Sequence, residues 1–576
     1  MKIIKEILYI FDKKQKMRLV ELMILILFGT ILETAGVTAI VPFISAIMYP
    51  EDMMKKDIIV FIYDLFGMNS IEDLIVFLAI IIIVVYILKN LYLIFMYDAQ
   101  FRFVYNNQRR LSNKLMSCYM KQPYSFHLKH NSSELMQNIV GDAETFFSTV
   151  LSSISLITDV MVCAVLAILL FLVDKSITLA VSLMVIVFII VFYRRFRKVI
   201  NRLGEERREY YTRKTICLRQ AFGGIKEVII LNREKFFVDA FDKNNFGFID
   251  AKRRVAALSM TPKPIMETLC IIALMIVIIM KICRGVKVEY FVPTLSIFAL
   301  AVIRMLPSSS RIATNLSNIV FGKASIKAVY EDLKGIELLE ETVKNEDNIR
   351  KIEFQENILI DKLTFSYEGS DKAVLQQVNL EIPKNKAVAF VGASGAGKTT
   401  LADIILGVLT YKTGRIFVDG NEIRTNSVSW QKQIGYIPQN IYILDDTIRR
   451  NIAMAINDED IDDKKIWDAV EKAQLKSFVE SLQDGLDTVI GEHGARISGG
   501  QRQRIGIARA LYTDPDILIL DEATSALDNE TENAVMEAID SLNGKKTLII
   551  IAHRLTTIDN CDIVYRISDG KVTKER

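Results

Sequence analysis

Residues 387–400 read AVAFVGASGAGKTT, and this stretch decides how the chain is built. Ala387 to Val391 form a short unbroken apolar run, the pattern of a strand buried on both faces of a parallel sheet. The run leads straight into Gly392-Ala393-Ser394-Gly395-Ala396-Gly397-Lys398-Thr399-Thr400, with the spacing G-x-x-x-x-G-K-[ST], and a helical pattern follows. Glycines let the backbone curl so that successive N–H groups point at an anion, and the helix start adds its positive end. Lys398 offers a charge suited to the β- and γ-phosphates of a nucleotide, and the Thr399 hydroxyl can ligate Mg2+.

Three further elements converge on the same chemistry. The strand DILIL (516–520) ends in Asp521-Glu522, so two carboxylates arrive at the edge where open α/β sheets bind ligands. Asp521 suits Mg2+, and Glu522 is placed to polarise an attacking water. Ile497-Ser498-Gly499-Gly500-Gln501-Arg502 opens a helix with a hydroxyl and glycine N–H groups at its positive end, a second phosphate-binding element. The strand TLIIIA (547–552) delivers His553 to that edge. Alone, His553 or Tyr367 reads as a packing side chain; His127, His130 and His493 have no partner motif and keep that reading.

Taken in order, Tyr367, Gly392 to Thr400, Gln439, Ser498 to Gln501, Asp521, Glu522, Asp528 and His553 resemble the ATP-binding domain of ABC transporters across 352–576. The resemblance implies that Tyr367 stacks on adenine, and that Gln439 contacts Mg2+ and the attacking water. It implies that Ser498, Gly499, Gly500 and Gln501 close over the γ-phosphate of ATP held by a partner chain. Asp528 then communicates between the two sites, and His553 holds the γ-phosphate. Ile497 stands where the family usually has Leu, a volume-conserving exchange. One chain carries one phosphate loop and one closing element, so the resemblance implies a homodimer with composite ATP sites.

The first 310 residues are the hydrophobic part. About 20 apolar residues cross a bilayer as a helix. Six stretches qualify, near 19–48, 74–97, 152–173, 176–194, 265–283 and 290–308. The basic residues cluster in the N-terminal tail and in the long gaps 98–150 and 195–264, whereas Tyr49–Asp73 carries only Lys55 and Lys56 against six acids. Both termini and both gaps are therefore expected in the cytoplasm of a multi-pass plasma-membrane protein. The gaps carry helical signals and few Gly or Pro, which predicts long stalks. The basic N-terminus lacks a cleavage signal and reads as a retained lead-in helix. The apolar stretch 52–68 is either a helix on the outer surface or one packed on the mouth of the bundle. The expected organisation is an all-α six-helix transmembrane domain with stalks at 1–329, a charged linker at 330–351, and an α/β P-loop domain at 352–576.

Six helices with stalks, fused ahead of the ATPase, resemble the exporter branch of the same family, with short docking helices implied near 122–134 and 224–241. The stretch YFVPTLSIFALAVIRMLPSSSRI (290–312), with the Lys89 and Lys263 positions, is similar to PglK-type flippases. That resemblance implies export of a polyprenyl-pyrophosphate-linked oligosaccharide toward the outer leaflet. Cations in or beside the spans are functional candidates in their own right, here Lys89, Lys263, Arg304 and Arg311. Together they suit an anionic lipid-linked substrate; singly, each could snorkel or pair with Glu33 or Glu267. An exporter of drugs, other lipids or peptides is the alternative cargo reading. A gated channel or regulator is a different class, against which the intact Glu522 argues. The net charge of +3 gives no nucleic-acid footprint, and six spans exclude a soluble ATPase acting on nucleic acid. The six scattered cysteines show no metal-ligand spacing.

Overall fold

Burial along the strand Ala387–Val391 alternates between two cores, and this fixes the C-terminal unit. Ala387, Ala389 and Val391 belong to one apolar cluster, Val388 and Phe390 to another. The strands Ile517–Asp521 and Thr547–Ile551 divide in the same way, with Leu518, Leu520, Leu548 and Ile550 on one side and Ile519, Ile549 and Ile551 on the other. A sheet with apolar side chains on both faces needs a covering layer on each. In the computed structural model of the chain, helices including Gly499–Tyr512 and Asp463–Lys472 supply one layer, and a second, antiparallel sheet contributes to the other.

The strands are β1 (Asn357–Phe365), β2 (Leu375–Pro383), β3 (Ala387–Val391), β4 (Thr413–Val418), β5 (Asn421–Glu422), β6 (Ile434–Ile437), β7 (Ile517–Asp521), β8 (Thr547–Ile551), β9 (Ile563–Ser568) and β10 (Lys571–Lys574). The antiparallel sheet has the order β2-β1-β4-β5, and the larger sheet β10-β9-β3-β8-β7-β6. In the larger sheet β9, β3, β8, β7 and β6 are parallel, and only the β9–β10 hairpin is antiparallel. All the parallel strands therefore end on one edge, and β3, β7 and β8 deliver the residues that follow them to it.

The structure describes residues 2–39, 70–173, 175–283, 306–343 and 353–576, apart from 368, 371, 412, 424–427, 492–493, 523–528 and 553–557, with scattered positions between 43 and 68. The described chain forms two compact units, Met1–Gln122 with Lys129–Thr342, and Val343–Arg576 with the short segment Pro123–Leu128. The helix Lys323–Val343 runs on through the first part of the stretch expected to be a linker, and 344–351 lie outside the described residues. Charge did not break that helix, because ions four apart support each other, as Lys327 and Glu331 do at 3.6 Å.

The described residues of the membrane unit are helical apart from short turns. Four stretches are long and apolar enough to cross a bilayer, within Lys13–Gly36, Ile71–Met120, Ser132–Ile168 and Glu234–Met280. They contain most of the first, second, third and fifth predicted spans; the fourth lies in the helix Lys175–Gly223, and residues 290–305 of the sixth are outside the described residues. The helix Ile71–Met120 has 50 residues, about 75 Å at 1.5 Å per residue, far more than the ~30 Å of a hydrocarbon core. Its first half exposes Val76, Ile80, Ile83, Ile87 and Leu91, a face matched to lipid, and its second half is the stalk. Short helices lie at Tyr124–Lys129 and Ile225–Ile230, inside the intervals expected for docking helices. Of the stretch 52–68 only scattered residues are described; among them Ile59, Tyr63 and Met68 pack with Leu74 and Leu78.

Beyond the spans, the stalk helices are joined by a polar knot around a π-helical turn, Gln137–Asp142. Arg208 Nε donates to Asp142 Oδ2 at 2.9 Å, and its NH2 donates to Asn138 Oδ1 at 2.9 Å. Asn138 Nδ2 donates to Asp332 Oδ2 at 2.6 Å, and the Tyr119 hydroxyl donates to the same oxygen. Burial raises the Asp332 carboxyl above its ordinary value, while these hydrogen bonds work against the shift. Four segments distant in sequence thus meet through side chains that are mostly shielded from water. Arg208→Ala should strand the fully buried Asp142 and destabilise the protein by roughly 3 kcal/mol; thermal unfolding of the purified variant in detergent measures the loss.

Candidate ATP site and membrane-embedded charges

The loop after β3 takes a path that needs glycine. Gly392 and Gly397 have φ of +148° and +106°. A Cβ on Gly392 would sit 2.2 Å from the Ile567 carbonyl oxygen, and one on Gly397 3.0 Å from Leu375 Cδ2. Held this way, the loop feeds the helix Lys398–Ile405, which buries Leu401, Ala402, Ile404 and Ile405 against the sheet. Lys398 is buried, and its Nζ donates to the carbonyls of Gly392 and Ala393 at 2.9 and 3.0 Å. Burial lowers its pKa, while Glu522 and Asp521 nearby pull the other way. Ser394, Gly395 and Thr399 are exposed and Ala396 is half-buried. Thr400 is buried, with its hydroxyl 3.0 Å from that of Tyr367. Tyr367 stands edge-on to Phe365 and remains partly exposed, so its ring is open to a flat ligand.

The carboxylates follow from strand pairing. Leu520 of β7 lies opposite Ile437 of β6, so residues just past both strand ends come together. Gln439 Nε2 donates to Glu522 Oε2 at 2.6 Å. Glu522 has φ of +49°, uncommon for a side chain of its kind, and its N–H donates to the Ile551 carbonyl at 3.2 Å. A strained, hydrogen-bonded carboxylate at a sheet edge is a feature of working sites. Asp521, the last residue of β7, is buried. Beside it sits Asp403, whose carboxyl is pushed up to about 6 by burial and by the negative charge of Asp521. The sequence reading missed Asp403, although an acid in the apolar helix KTTLADII was a visible signal.

Ser498 caps the helix Gly499–Tyr512 in a reciprocal box: its Oγ accepts from Gln501 N–H at 3.2 Å, and Gln501 Oε1 accepts from Ser498 N–H at 2.8 Å. Ser498 and Gly499 are exposed and Gly500 is buried. Among the described residues no hydrogen bond joins this element to the phosphate loop. Asp528 and His553 lie outside the described residues. Among the described residues no cluster of three His, Cys, Asp or Glu forms a metal cage. A hydroxyl, an amide and one acid, from Thr399, Gln439 and Asp521, make the donor set expected for Mg2+ shared with nucleotide phosphates, so these residues fit that ion.

The four membrane cations have different surroundings. Lys89 is only 6% exposed and lies 4.1 Å over the Tyr86 ring, with Gly36 against its stem. Lys263 is exposed, and Arg304 lies outside the described residues. Arg311 is paired with Asp159, at 2.7 Å from NH2 to Oδ1. The alternatives to an anion site were snorkelling or a pair with Glu33 or Glu267; the partner found is Asp159, the lone acidic residue of 152–173. Among the described residues no hydrogen bond or ion pair links these cations to one another.

A helical membrane unit and a sheet-edge nucleotide site on one polypeptide define an ATPase coupled to transmembrane transport. The family model of the ABC transporter transmembrane region matches residues 20–304, and the model described as ABC transporter matches 375–525. The chain belongs to the ABC transporter family, as a half-transporter of the exporter type. It is 32% identical over 473 residues to the ATP-dependent lipid A-core flippase of Escherichia coli (strain K12), covering 81% of this chain and 79% of that one. To the flippase of the same description from Sodalis glossinidius it is 31% identical over 474 residues, 82% and 79% of the two chains. The fold is that of a bacterial Atm1-family ABC exporter solved with ATP bound, with a TM-score of 0.74 at 20% identity over 98% of this chain and 95% of that one.

Gly392→Ala tests the loop geometry. The added methyl has no room beside Ile567, so ATP binding should fall at least tenfold; equilibrium titration with a fluorescent ATP analogue reads it.

Proposed function

We propose that two copies of this chain pair, bind ATP between them, and use its hydrolysis to move a polyprenyl-pyrophosphate-linked oligosaccharide from the cytoplasmic to the outer leaflet. Lys398 and the loop N–H groups grip the β- and γ-phosphates, and Tyr367 stacks on the base. Glu522, oriented by Gln439, accepts the proton of the attacking water. Asp521, Thr399 and Gln439 would hold Mg2+, which supplies charge neutralisation on the phosphates. Ser498, Gly499, Gly500 and Gln501 close on the γ-phosphate of the other copy, Asp528 couples the two sites, and His553 completes the grip. Closure tilts the membrane helices from an inward to an outward opening, and hydrolysis resets them.

Arg311 is the observation that carries the cargo reading: more than half of its side chain stays exposed beside the sixth predicted span even though it is paired with the buried Asp159, and a cation presented there is a functional candidate. Lys89 and Lys263 extend the basic set from other segments, and Arg304 precedes Arg311 by seven residues in the sixth. A second reading has a specific support, the likeness to lipid A-core flippases, under which the cargo is a phosphorylated glycolipid of that kind. The two differ in the lipid and share an anionic head group.

Reconstitution in liposomes separates them. ATP-dependent translocation of a fluorescent polyprenyl-pyrophosphate glycan is expected, lost with Glu522→Gln and reduced at least tenfold with Arg304→Ala plus Arg311→Ala. Transport of lipid A-core with no movement of the glycan would select the second reading. Glu522→Gln should still bind ATP while turnover drops by about 10²-fold or more. Gly499→Ala gives an independent check on the paired site. Nothing lies within 4 Å of a Cβ there, so thermal stability should be unchanged. Steady-state ATPase should nonetheless collapse, because the methyl meets the partner's nucleotide; wild-type turnover would remove the composite site.

A further inference from the structure

Asp159 belongs to no motif of the ATP site and to none of the basic candidates, yet it is the lone charged residue in the span 152–173. Both of its oxygens are engaged. Oδ1 accepts from Arg311 Nε at 2.8 Å and lies 2.7 Å from NH2, and Oδ2 accepts from Asn315 Nδ2 at 3.3 Å. Arg311 NH2 also donates to Ser308 Oγ at 2.9 Å. One edge of the guanidinium is thus fixed inside the protein. The NH1 group has no hydrogen-bond partner among the described residues.

Burial is lopsided across this pair, with the Asp159 side chain 5% exposed and that of Arg311 56%. The attraction between two ions is strongest where neither faces water, although desolvating both carries its own cost. Here the acid is hidden and the cation is presented. The apolar cluster of Val162, Leu166, Leu170, Val185 and Met266 begins just past Asp159 on the same helix. The pair lies about 10 Å along the helix from the start of the span at 152, the end that the charge asymmetry assigns to the cytoplasm.

Resting on the cargo reading above, we propose that Asp159 is a positioning and affinity-setting residue for the cargo phosphate. It holds the Nε–NH2 edge of Arg311 so that the remaining corner faces a phosphorylated head group, and its negative charge opposes that of the phosphate. A guanidinium with no internal counter-ion binds a phosphate tightly and releases it slowly; one already half-neutralised binds it reversibly. Cargo that must enter from one leaflet and leave to the other needs the second behaviour.

The test uses full-length protein in nanodiscs, with ATPase stimulation read against the concentration of a polyprenyl pyrophosphate, of lipid A, and of an uncharged polyprenol. With Asp159→Asn, the half-saturating concentration of a phosphorylated lipid should fall about tenfold, and the maximal stimulated rate should fall with it. Asp159→Glu, which keeps the charge, should stay near wild type. In an Arg311→Ala background the Asp159→Asn effect should vanish. Asp159→Ser carries the same comparison should the Asn variant fail to fold. An unchanged half-saturation with only a lower melting temperature would make the pair a staple and overturn the proposal alone. A wild-type protein that neither phosphorylated lipid stimulates would overturn the cargo reading and this proposal with it.

Discussion

Burying β3 on both faces is the constraint from which the chemistry descends. A strand packed between two apolar layers can present polar groups only at its ends, and Gly392 follows its last residue directly. Parallel pairing with β8 and, through it, β7 places Asp521 and the residue after β8 at the same edge. The site is thus a consequence of strand register: a one-residue slip of β7 would exchange Leu518 and Leu520 for Ile517 and Ile519 between the two cores and move the carboxylates off the edge.

Electrostatics at that edge is a balance that binding of phosphate can tip. Lys398 is desolvated beneath its own loop carbonyls, with the negative charges of Asp521 and Glu522 favouring its charged form. Asp403 behind it is held toward its protonated form by burial and by Asp521. The edge therefore carries one cation within the field of two carboxylates and a third that is reluctant to ionise. Such crowding of acids around one lysine favours a ligand that brings its own divalent counter-ion, which is how nucleotide phosphates meet Mg2+.

Much of this was legible because the ATP-binding elements are local. A loop with fixed glycine spacing, a strand ending in two acids and a helix opened by Ser498 each declare themselves within a few residues, and the reciprocal cap of Ser498 with Gln501 is itself a sequence pattern. Four of the six predicted spans were legible from length and hydropathy alone. What stayed hidden is carried by pairs distant in the chain. Asp159 and Arg311 are 152 residues apart, and Tyr119 and Asp332 are 213 apart. No spacing rule connects them, and Glu33 and Glu267 were equally open as acidic partners in the sequence. The helix through 330–343 was hidden for a different reason: dense alternating charge reads as a linker until the i,i+4 pairing of Lys327 and Glu331 is seen.

The membrane unit keeps its polar groups in two places with opposite designs. In the stalk knot, Asp142 is fully buried and Arg208 is partly buried, and the side chains of Tyr119, Asn138 and Asp332 are spent on one another. Such a network resists gradual deformation, because losing one bond leaves its partners desolvated and unsatisfied, so the stalks should move as a body or rearrange all at once. Around Asp159 the acid is buried and the cation is not, which leaves binding capacity facing outward. A transporter needs both kinds of region. A closure driven at the ATP site can reach the lipid phase only through elements that do not yield, and the cargo must be held by groups that do let go.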